Sequence, residues 1–332
     1  MRNRLIKLPN PVPFSSWASI AGKWESEGPL RGKFDLVDIT SRFGKKTWEK
    51  SESEMQRLAL ETALKKKDLS PEIIDAVFAG DLINQCTSSS HAMVNFQIPY
   101  FGLYGACSTS VEGLVLAATM ISTGIYKQCG VISSSHFCSA QRQFRFPLEY
   151  GAISAPTSQR TVTGAGAFVL GGEGVAQITE VLPGIVVDSG VSDINNMGAG
   201  MAPAAADTLA TYFRESCVEP EEFCAIFTGD LGAEGSALLI ELLLMRGIDI
   251  RKQHQDCGLM IFDKNRQDVS SGGSGCGCAA TTLAAEVLPR VIAGELKKIL
   301  FIATGALMSP LSIHQGEDIP AIAHLVRIEG GQ

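Results

Sequence analysis

The side chain best placed for chemistry in this sequence is Cys107, which lies between an apolar run and a stretch of small and apolar residues. The pattern predicts a buried strand over residues 98–104 and a helix from the cysteine to about residue 123. A thiol at the start of a helix lies beside free N–H groups, which favour a thiolate or a bound carboxylate. Cys107 is therefore a candidate functional residue, and the alternative is a small buried core cysteine.

The elements that must position Cys107 alternate between helix and strand. Ser51 and Glu54 have the spacing of a capping box, which predicts a helix over 51–69. Apolar runs predict short strands at 76–79 and 131–134, and residues 161–170 predict a glycine-containing strand. Strands that alternate with helices form mostly parallel sheets with crossover helices.

The second half of the chain repeats this order. Residues 225–230 (Ala-Ile-Phe-Thr-Gly-Asp) correspond to residues 76–81, which also end in Gly-Asp. A helix over 276–291 and a strand over 299–303 then correspond to the helix after Cys107 and its following strand. We predict an α/β fold of two similar halves, residues 1–172 and 173–332, with helices buried between their sheets.

Composition excludes several classes of function. A formal charge of -7 argues against a nucleic-acid-binding surface and against attraction to anionic lipid. The nine scattered cysteines include no Cys-x-x-Cys pair, which fits a reducing compartment better than a disulfide scaffold. No run approaches the ~20 apolar residues of a membrane span.

Cofactor motifs are also missing from the sequence. The glycine-rich stretch 272–277 lacks the Gly-Lys-Ser/Thr ending of a phosphate-binding loop, so we expect no nucleotide site. The chain has no Asp-x-Asp-x-Asp loop, so we expect no dedicated calcium cage and no other metal site.

Several motifs in one order resemble the stage V sporulation protein AD family. The segment Tyr-Gly-Ala-Cys-Ser-Thr-Ser at 104–110 is similar to the nucleophile turn of the thiolase and ketoacyl-synthase superfamily. The other motifs are Ala-Gly-Asp-Leu-Ile-Asn-Gln (79–85), Ser-Ser-Ser-His (133–136), Arg-Gln-Phe-Arg (142–145), Met-Ala-Pro-Ala-Ala-Ala-Asp (201–207), Thr-Gly-Asp-Leu (228–231), Gly-Gly-Ser-Gly-Cys (272–276) and Ala-Thr-Gly-Ala-Leu (303–307). The resemblance implies a thiolase-like fold, five-layered as α-β-α-β-α, and a homodimer.

The resemblance also implies a role in spore formation. Members of this family bind dipicolinic acid (pyridine-2,6-dicarboxylate) and support its uptake, with calcium, into the developing spore, beside integral membrane subunits of a transport complex. It implies a peripheral position at the cytoplasmic face of the spore inner membrane, in the mother cell or forespore of a spore-forming bacterium. We expect no cofactor, and calcium only as a complex with the acid.

Catalysis is not expected, because condensing enzymes of the superfamily pair the cysteine with His and His or with His and Asn. The stretches that correspond to those positions, 229–234 and 272–278, contain neither residue type. Cys107 would then be an ancestral nucleophile in a catalytically retired protein. Two alternatives remain, an active acyl-transfer or condensing enzyme that uses Cys107, and a structural subunit whose pocket is a relic.

The predicted ligand-binding residues are Cys107, His136, Arg142, Arg145, Asp81 and Asn84. Arg142 and Arg145 alternate with aromatic residues between 136 and 150, which suits a flat dicarboxylate, although this segment is equally typical of a dimer contact. His136 is either a ligand or base for the pocket or a structural histidine.

The remaining polar candidates have structural interpretations as well. Asp81 and Asp230 occupy equivalent strand ends, which favours a shared role in a turn, and Asn84 is a possible donor to a carboxylate. His324 lies in an apolar run and is predicted to be a core histidine. The small-residue segment 197–207 is either a helix-packing segment or a pocket wall.

Overall fold

The computed structural model of the protein describes residues 3–144 and 154–330. Its strands are β1 (Ile6–Gly22), β2 (Leu36–Asp38), β3 (Ala76–Gly80), β4 (Tyr100–Gly102), β5 (Cys129–Ser135), β6 (Arg160–Thr161), β7 (Gly164–Leu170), β8 (Gln177–Leu182), β9 (Ala225–Thr228), β10 (His254–Asp256), β11 (Gly273–Ser274), β12 (Lys298–Ala306) and β13 (Ala321–Glu329). Its α-helices are α1 (Lys23–Ser26), α2 (Trp48–Lys65), α3 (Thr87–Met93), α4 (Thr109–Ser122), α5 (Phe137–Phe144), α6 (Met197–Ser216), α7 (Gly232–Leu244), α8 (Cys257–Ile261), α9 (Cys276–Thr282), α10 (Leu288–Ile292) and α11 (Pro310–His314).

Two sets of five strands have the same order and the same directions. In the first set the order is β1-β7-β5-β3-β4, and in the second it is β8-β13-β12-β9-β10. In each set the first two pairings are antiparallel and the last two are parallel. The long strand β1 joins the sets, because its start pairs with β8 and its end pairs with β7. The repeated topology confirms the predicted duplication, while the boundary at 172/173, in the loop between β7 and β8, stays a prediction.

The strands and helices form five layers. Helix α4 and the continuous segment α9–α10, which is joined by a π-helical turn at Leu283–Val287, lie between the two sets of strands and form the central core. Helix α2 covers the first set on its outer side, and α6 and α7 cover the second set. The central helices are apolar on all sides because both faces are buried, whereas α2 buries one face only. The structure thus has the predicted α-β-α-β-α arrangement.

Three predicted elements differ in detail from the structure. Helix α2 begins three residues earlier, at Trp48, and the Thr47 side chain caps it by accepting from Lys50 N–H, so the capping box at Ser51 was wrong. The buried strand predicted at 98–104 is only the short, partly exposed strand β4 at the edge of the sheet. The strand predicted at 161–170 is divided, and its first residue, Thr161, pairs with β11 instead.

No helix among residues 3–144 and 154–330 is long and apolar enough to cross a lipid bilayer. No cluster of three or more metal-binding side chains is found in the same part of the chain.

Candidate functional site

Cys107 lies in a tight turn between β4 and α4. The turn is a single 3₁₀ segment, Ala106–Ser108, and Ala106 has a positive φ of 49°, which is uncommon for a residue with a side chain. The Ser108 hydroxyl donates to the Gly105 carbonyl at 2.7 Å, and the Thr109 hydroxyl donates to the Ala106 carbonyl at 2.7 Å. These bonds hold the strained backbone and fix the direction of the Cys107 side chain.

The Cys107 side chain forms part of the wall of a partly enclosed cavity that opens to solvent. We call it the Cys107 cavity. Its apolar wall comes from both halves of the chain, and its polar groups are uncharged. The lining residues are Leu82, Tyr104, Ala106, Cys107, Ala140, Gln141, Phe144, Gln159, Thr161, Ile194, Met197, Ser274, Ala306, Met308 and Ile313.

Ser274 and Asp230 are the polar side chains nearest to the sulfur in the described structure. The Ser274 hydroxyl lies 3.8 Å from Cys107 Sγ, and it donates to Asp230 Oδ2 at 3.0 Å. Asp230 Oδ2 also accepts from Gly275 N–H at 2.9 Å, and Oδ1 accepts from the Thr304 hydroxyl at 2.9 Å. A buried carboxyl group thus links β9, the glycine-rich turn and β12 beneath the cavity.

Burial, followed by the charge of Asp230, raises the pKa of the Cys107 thiol well above its usual range. This corrects the sequence interpretation, in which helix N–H groups would favour the thiolate. Helix α4 begins only at Thr109, so the thiol is separated from the helix start, and burial dominates its pKa. The geometry therefore favours a neutral thiol.

We expect Cys107 to react with iodoacetamide at pH 8 at least roughly tenfold more slowly than the exposed Cys217 and Cys224, because the thiolate is the reactive form. Peptide mapping by mass spectrometry would measure each rate, and the urea-unfolded protein is the control in which the three rates converge. Labelling of folded Cys107 as fast as Cys217 would contradict this assignment of a neutral thiol.

His136 is fully buried but does not line the Cys107 cavity. Its Nδ1 accepts from Cys138 N–H at 3.1 Å and its Nε2 lies 2.9 Å from the Ser41 carbonyl, so the neutral ring donates from Nε2. The ring lies 5.2 Å from Trp48, and burial lowers its pKa. These contacts are those of the structural alternative.

Of the two predicted arginines, the structure describes Arg142, which does not line the cavity. Arg142 is half exposed and pairs with Glu49 on α2, while its neighbours Gln141 and Phe144 line the cavity. Arg145 lies outside the described residues, and so do Phe146 and Tyr150 of the same motif.

The predicted strand-end residues have different roles. Asp81 accepts from Ile83 N–H at 2.9 Å and from Ser89 N–H at 2.7 Å, which are the contacts of a structural turn. Asn84 is exposed and is not part of the cavity. Asp230 makes no such turn, since Asp256 takes the N–H groups after β9, and it lies beside Cys107 instead. The shared turn role expected for Asp81 and Asp230 was therefore wrong for Asp230.

Several residues that line the cavity were not predicted from the sequence. Ser274 lies within the glycine-rich stretch, which stands out in the sequence for its lack of His and Asn. Gln159 donates to the Asp230 and Gly273 carbonyls at 2.6 and 3.0 Å, and its buried Oε1 has no partner in the described structure. Nothing in the local sequence around Gln159 signals this position. His324, as predicted, is a buried histidine of the core, where it accepts from Gly184 N–H at 3.1 Å.

The segment 197–207 serves both of the suggested purposes. Met197 lines the Cys107 cavity, while Met201, Ala202 and their neighbours in α6 pack against the outer face of the second strand set.

Solved structures with a similar fold are thiolase-like proteins. OleA from Xanthomonas campestris, bound to cerulenin, has a TM-score of 0.62 at 15% identity, over 98% of this chain and 100% of that chain. The 3-oxoacyl-[acyl-carrier-protein] synthase III from Aquifex aeolicus has a TM-score of 0.57 at 16% identity, over 95% and 99% of the two chains. At such identities the similarity establishes the fold alone, and the protein has the thiolase-like fold.

Sequence comparison gives a narrower assignment. The profile of the stage V sporulation protein AD family matches residues 2–329. The stage V sporulation protein AD of Bacillus subtilis (strain 168) is 38% identical over 321 residues, which cover 96% of this chain and 95% of that protein. The chain belongs to the stage V sporulation protein AD family, and the resemblance found in its motifs is confirmed.

Proposed function

We propose that this protein binds dipicolinic acid in the Cys107 cavity during sporulation and supports uptake of the acid, with calcium, into the developing spore. The observation that carries the proposal is the open cavity at the ancestral nucleophile, lined by hydroxyl and amide side chains in place of acid–base partners. Such a cavity can hold a small polar ligand.

Loss of catalysis is supported by the groups around the sulfur. No described residue lining the cavity is a histidine or an asparagine, and Ser274 and Asp230 lie where an acid–base partner would act. Burial raises the pKa of Asp230, and Asp230 in turn raises the pKa of the Cys107 thiol, which opposes nucleophilic attack. We therefore propose that the protein acts as a binder and not as an acyltransferase.

The charge of the cavity suggests the form in which the acid binds. Its described lining has no lysine, arginine or ionisable acid apart from the thiol and the phenol of Tyr104. A free dianion would bring two charges next to Asp230, which is unfavourable in a buried site. The complex of the acid with one Ca²⁺ is neutral, so we propose that calcium enters with the acid and not through a protein metal site.

Calorimetric titration with dipicolinic acid, with and without one equivalent of calcium, tests the function. We expect saturable binding that weakens at least tenfold, roughly 1.4 kcal/mol, in Cys107→Ala, and also in Ala140→Leu, which narrows the cavity from α5. The exposed Cys217→Ala is the matched control and should bind as the wild type does.

Each other outcome changes the proposal. An affinity for the acid that is unchanged in both cavity variants would place the acid elsewhere on the protein. No binding at all would favour a structural subunit. A mass increase after incubation with an acyl-coenzyme A, lost in Cys107→Ala, would favour the acyl-transfer alternative.

We further propose a homodimer and contact with integral membrane subunits of a transport complex at the cytoplasmic face of the spore inner membrane. The free edge of β4 supports the dimer, because Phe101 and Tyr104 beside it are 43% and 42% exposed and an unpaired strand edge can pair with a second copy. The membrane contact is supported by family membership.

A further inference from the structure

A second cavity, distinct from the Cys107 cavity, lies where the end of β1, the start of α2 and the start of α5 meet. It is open to solvent. We call it the Trp24–Arg160 cavity. Its walls include four aromatic side chains, and its lining residues are Lys23, Trp24, Glu25, Ile39, Thr40, Ser41, Trp48, His136, Phe137, Cys138, Arg160 and Thr163.

Arg160 is held in this cavity by its two flat faces. The centre of the guanidinium lies 3.8 Å from the Trp24 ring and 3.9 Å from the Phe137 ring. Stacking on both sides fixes the plane of the group and leaves only its N–H edge for hydrogen bonds. A guanidinium fixed in this way is preorganised to bind a planar anion.

The hydrogen-bonding capacity of Arg160 is not used within the described structure. Its Nε–H is buried and has no acceptor among residues 3–144 and 154–330. Burial lowers the pKa of Arg160 while Glu25 and Asp268 oppose that shift, and neither carboxyl group forms an ion pair with the guanidinium in the described structure. A buried donor without a partner is costly, so the stacked guanidinium gains no stabilisation from hydrogen bonds within the described structure.

The charged side chains among the described lining residues of the cavity are Lys23, Arg160 and Glu25. Lys23 lines the cavity, and the guanidinium carbon of Arg42 lies 3.2 Å from the centre of the Trp48 ring. Glu25 is the one carboxyl group among the described lining residues. Its Oε1 accepts a hydrogen bond from Thr163 N–H at 2.8 Å, and burial raises the pKa of Glu25 to about 7. His136 is neutral, since burial lowers its pKa.

We propose that the Trp24–Arg160 cavity is a binding site for a small planar carboxylate, independent of the Cys107 cavity. The carboxylate pairs with the edge of Arg160 and therefore lies in the plane of the guanidinium. A flat aromatic acid fits that plane and gains contact with the indole and phenyl walls. The proposal rests on the proposed function only in taking dipicolinic acid as one of its probes.

The test follows the fluorescence of Trp24 while benzoate is titrated into the protein without calcium. We expect saturable quenching in the wild type and at least tenfold weaker binding in Arg160→Gln. The matched control is Arg142→Gln, which removes an arginine that pairs with Glu49 outside the cavity. Arg142→Gln should bind benzoate as the wild type does.

Circular dichroism and thermal unfolding show whether Arg160→Gln is folded, and Arg160→Lys keeps the charge while losing the stacked plane. If Arg160→Gln does not fold, weaker benzoate binding by Arg160→Lys carries the test. Equal benzoate binding by the folded Arg160 variants and the wild type would overturn the proposal. Inorganic phosphate that binds as tightly as benzoate would also overturn it, since the site would then be a general anion site.

Calorimetry with dipicolinic acid separates this proposal from the proposed function. Two binding events per chain are expected, one lost in Arg160→Gln and the other weakened in Cys107→Ala. Failure of the proposed function alone would leave the Arg160-dependent event and remove the Cys107-dependent one. Failure of the further inference alone would leave only the Cys107-dependent event.

Discussion

Gly305→Ala is expected to destabilise the protein by about 3 kcal/mol or more and to distort the Cys107 cavity. A Cβ atom at position 305 would lie 2.1 Å from the Gly105 carbonyl oxygen and 3.1 Å from Ser108 N. Both contacts are with backbone of the turn that carries Cys107, so no side chain can move aside. Strand β12 or the turn must shift, and either movement changes the position of the thiol.

Gly200→Ala is the matched control for this substitution. Position 200 is buried within α6, and the nearest atom to its added Cβ is 3.8 Å away, which is ordinary contact distance. Alanine is favoured over glycine in a helix by about 1 kcal/mol, so this variant should be as stable as the wild type or more stable. Urea unfolding measures both effects, and a Gly305→Ala protein with wild-type stability and wild-type Cys107 reactivity would contradict the close approach of β12 to the turn.

The elements that the sequence predicted well are those with continuous apolar runs. Strands β3, β9 and β12 are short and fully or almost fully buried, and the paired Gly-Asp endings after β3 and β9 made the duplication visible. The segment α9–α10 was predicted for the same reason, since small and apolar residues follow the glycine-rich turn without a polar face. Burial on both sides leaves a simple pattern in a sequence.

The site was harder to predict because its contacts join distant parts of the chain. Ser274 meets Cys107 across 167 residues, and Gln159 meets the Asp230 carbonyl across 71. The crossover connections between strands and helices determine these contacts, so no local sequence pattern predicts them.

His136 illustrates a related difficulty. Because His136 follows a strand end, the sequence predicted that it lies near the edge of the sheet that carries Cys107. The direction of its side chain depends on α2, however, whose Trp48 packs against the imidazole ring. The position of Arg160 could not be predicted from the sequence, because Arg160, Trp24 and Phe137 come from three separate segments of the chain. Only the fold stacks the two rings on the guanidinium.

Asp230→Ala is expected to cost about 3 kcal/mol of stability and to abolish ligand binding in the Cys107 cavity. The substitution removes the acceptor for three donors in one buried place, Ser274 Oγ–H, Gly275 N–H and Thr304 Oγ–H. The hydroxyl groups can rotate toward other acceptors, but the Gly275 N–H would stay buried without a partner. The glycine-rich turn should then move away from Cys107.

Asp230→Asn separates the charge of Asp230 from its hydrogen bonds. The amide oxygen can still accept from Ser274 and Gly275, and the Thr304 hydroxyl can accept from the amide nitrogen, so the loss of stability should be small. Because the charge of Asp230 contributes to the raised pKa of Cys107, the Asn variant should react faster with iodoacetamide than the wild type. An unchanged rate would show that burial alone governs the thiol.

The pH dependence of unfolding provides a further check on Asp230. Burial raises the pKa of Asp230 in the folded protein above its ordinary value of 3.8, so the folded state holds a proton that the unfolded chain has released. Its contribution to stability is therefore lost as pH rises above 3.8 toward the folded pKa, and Asp230→Asn removes this loss. The stability of the Asn variant relative to the wild type should increase with pH across that window. A constant difference in stability would mean that Asp230 is charged in the folded protein throughout the window. Its hydrogen-bond donors would then be strong enough to offset its burial.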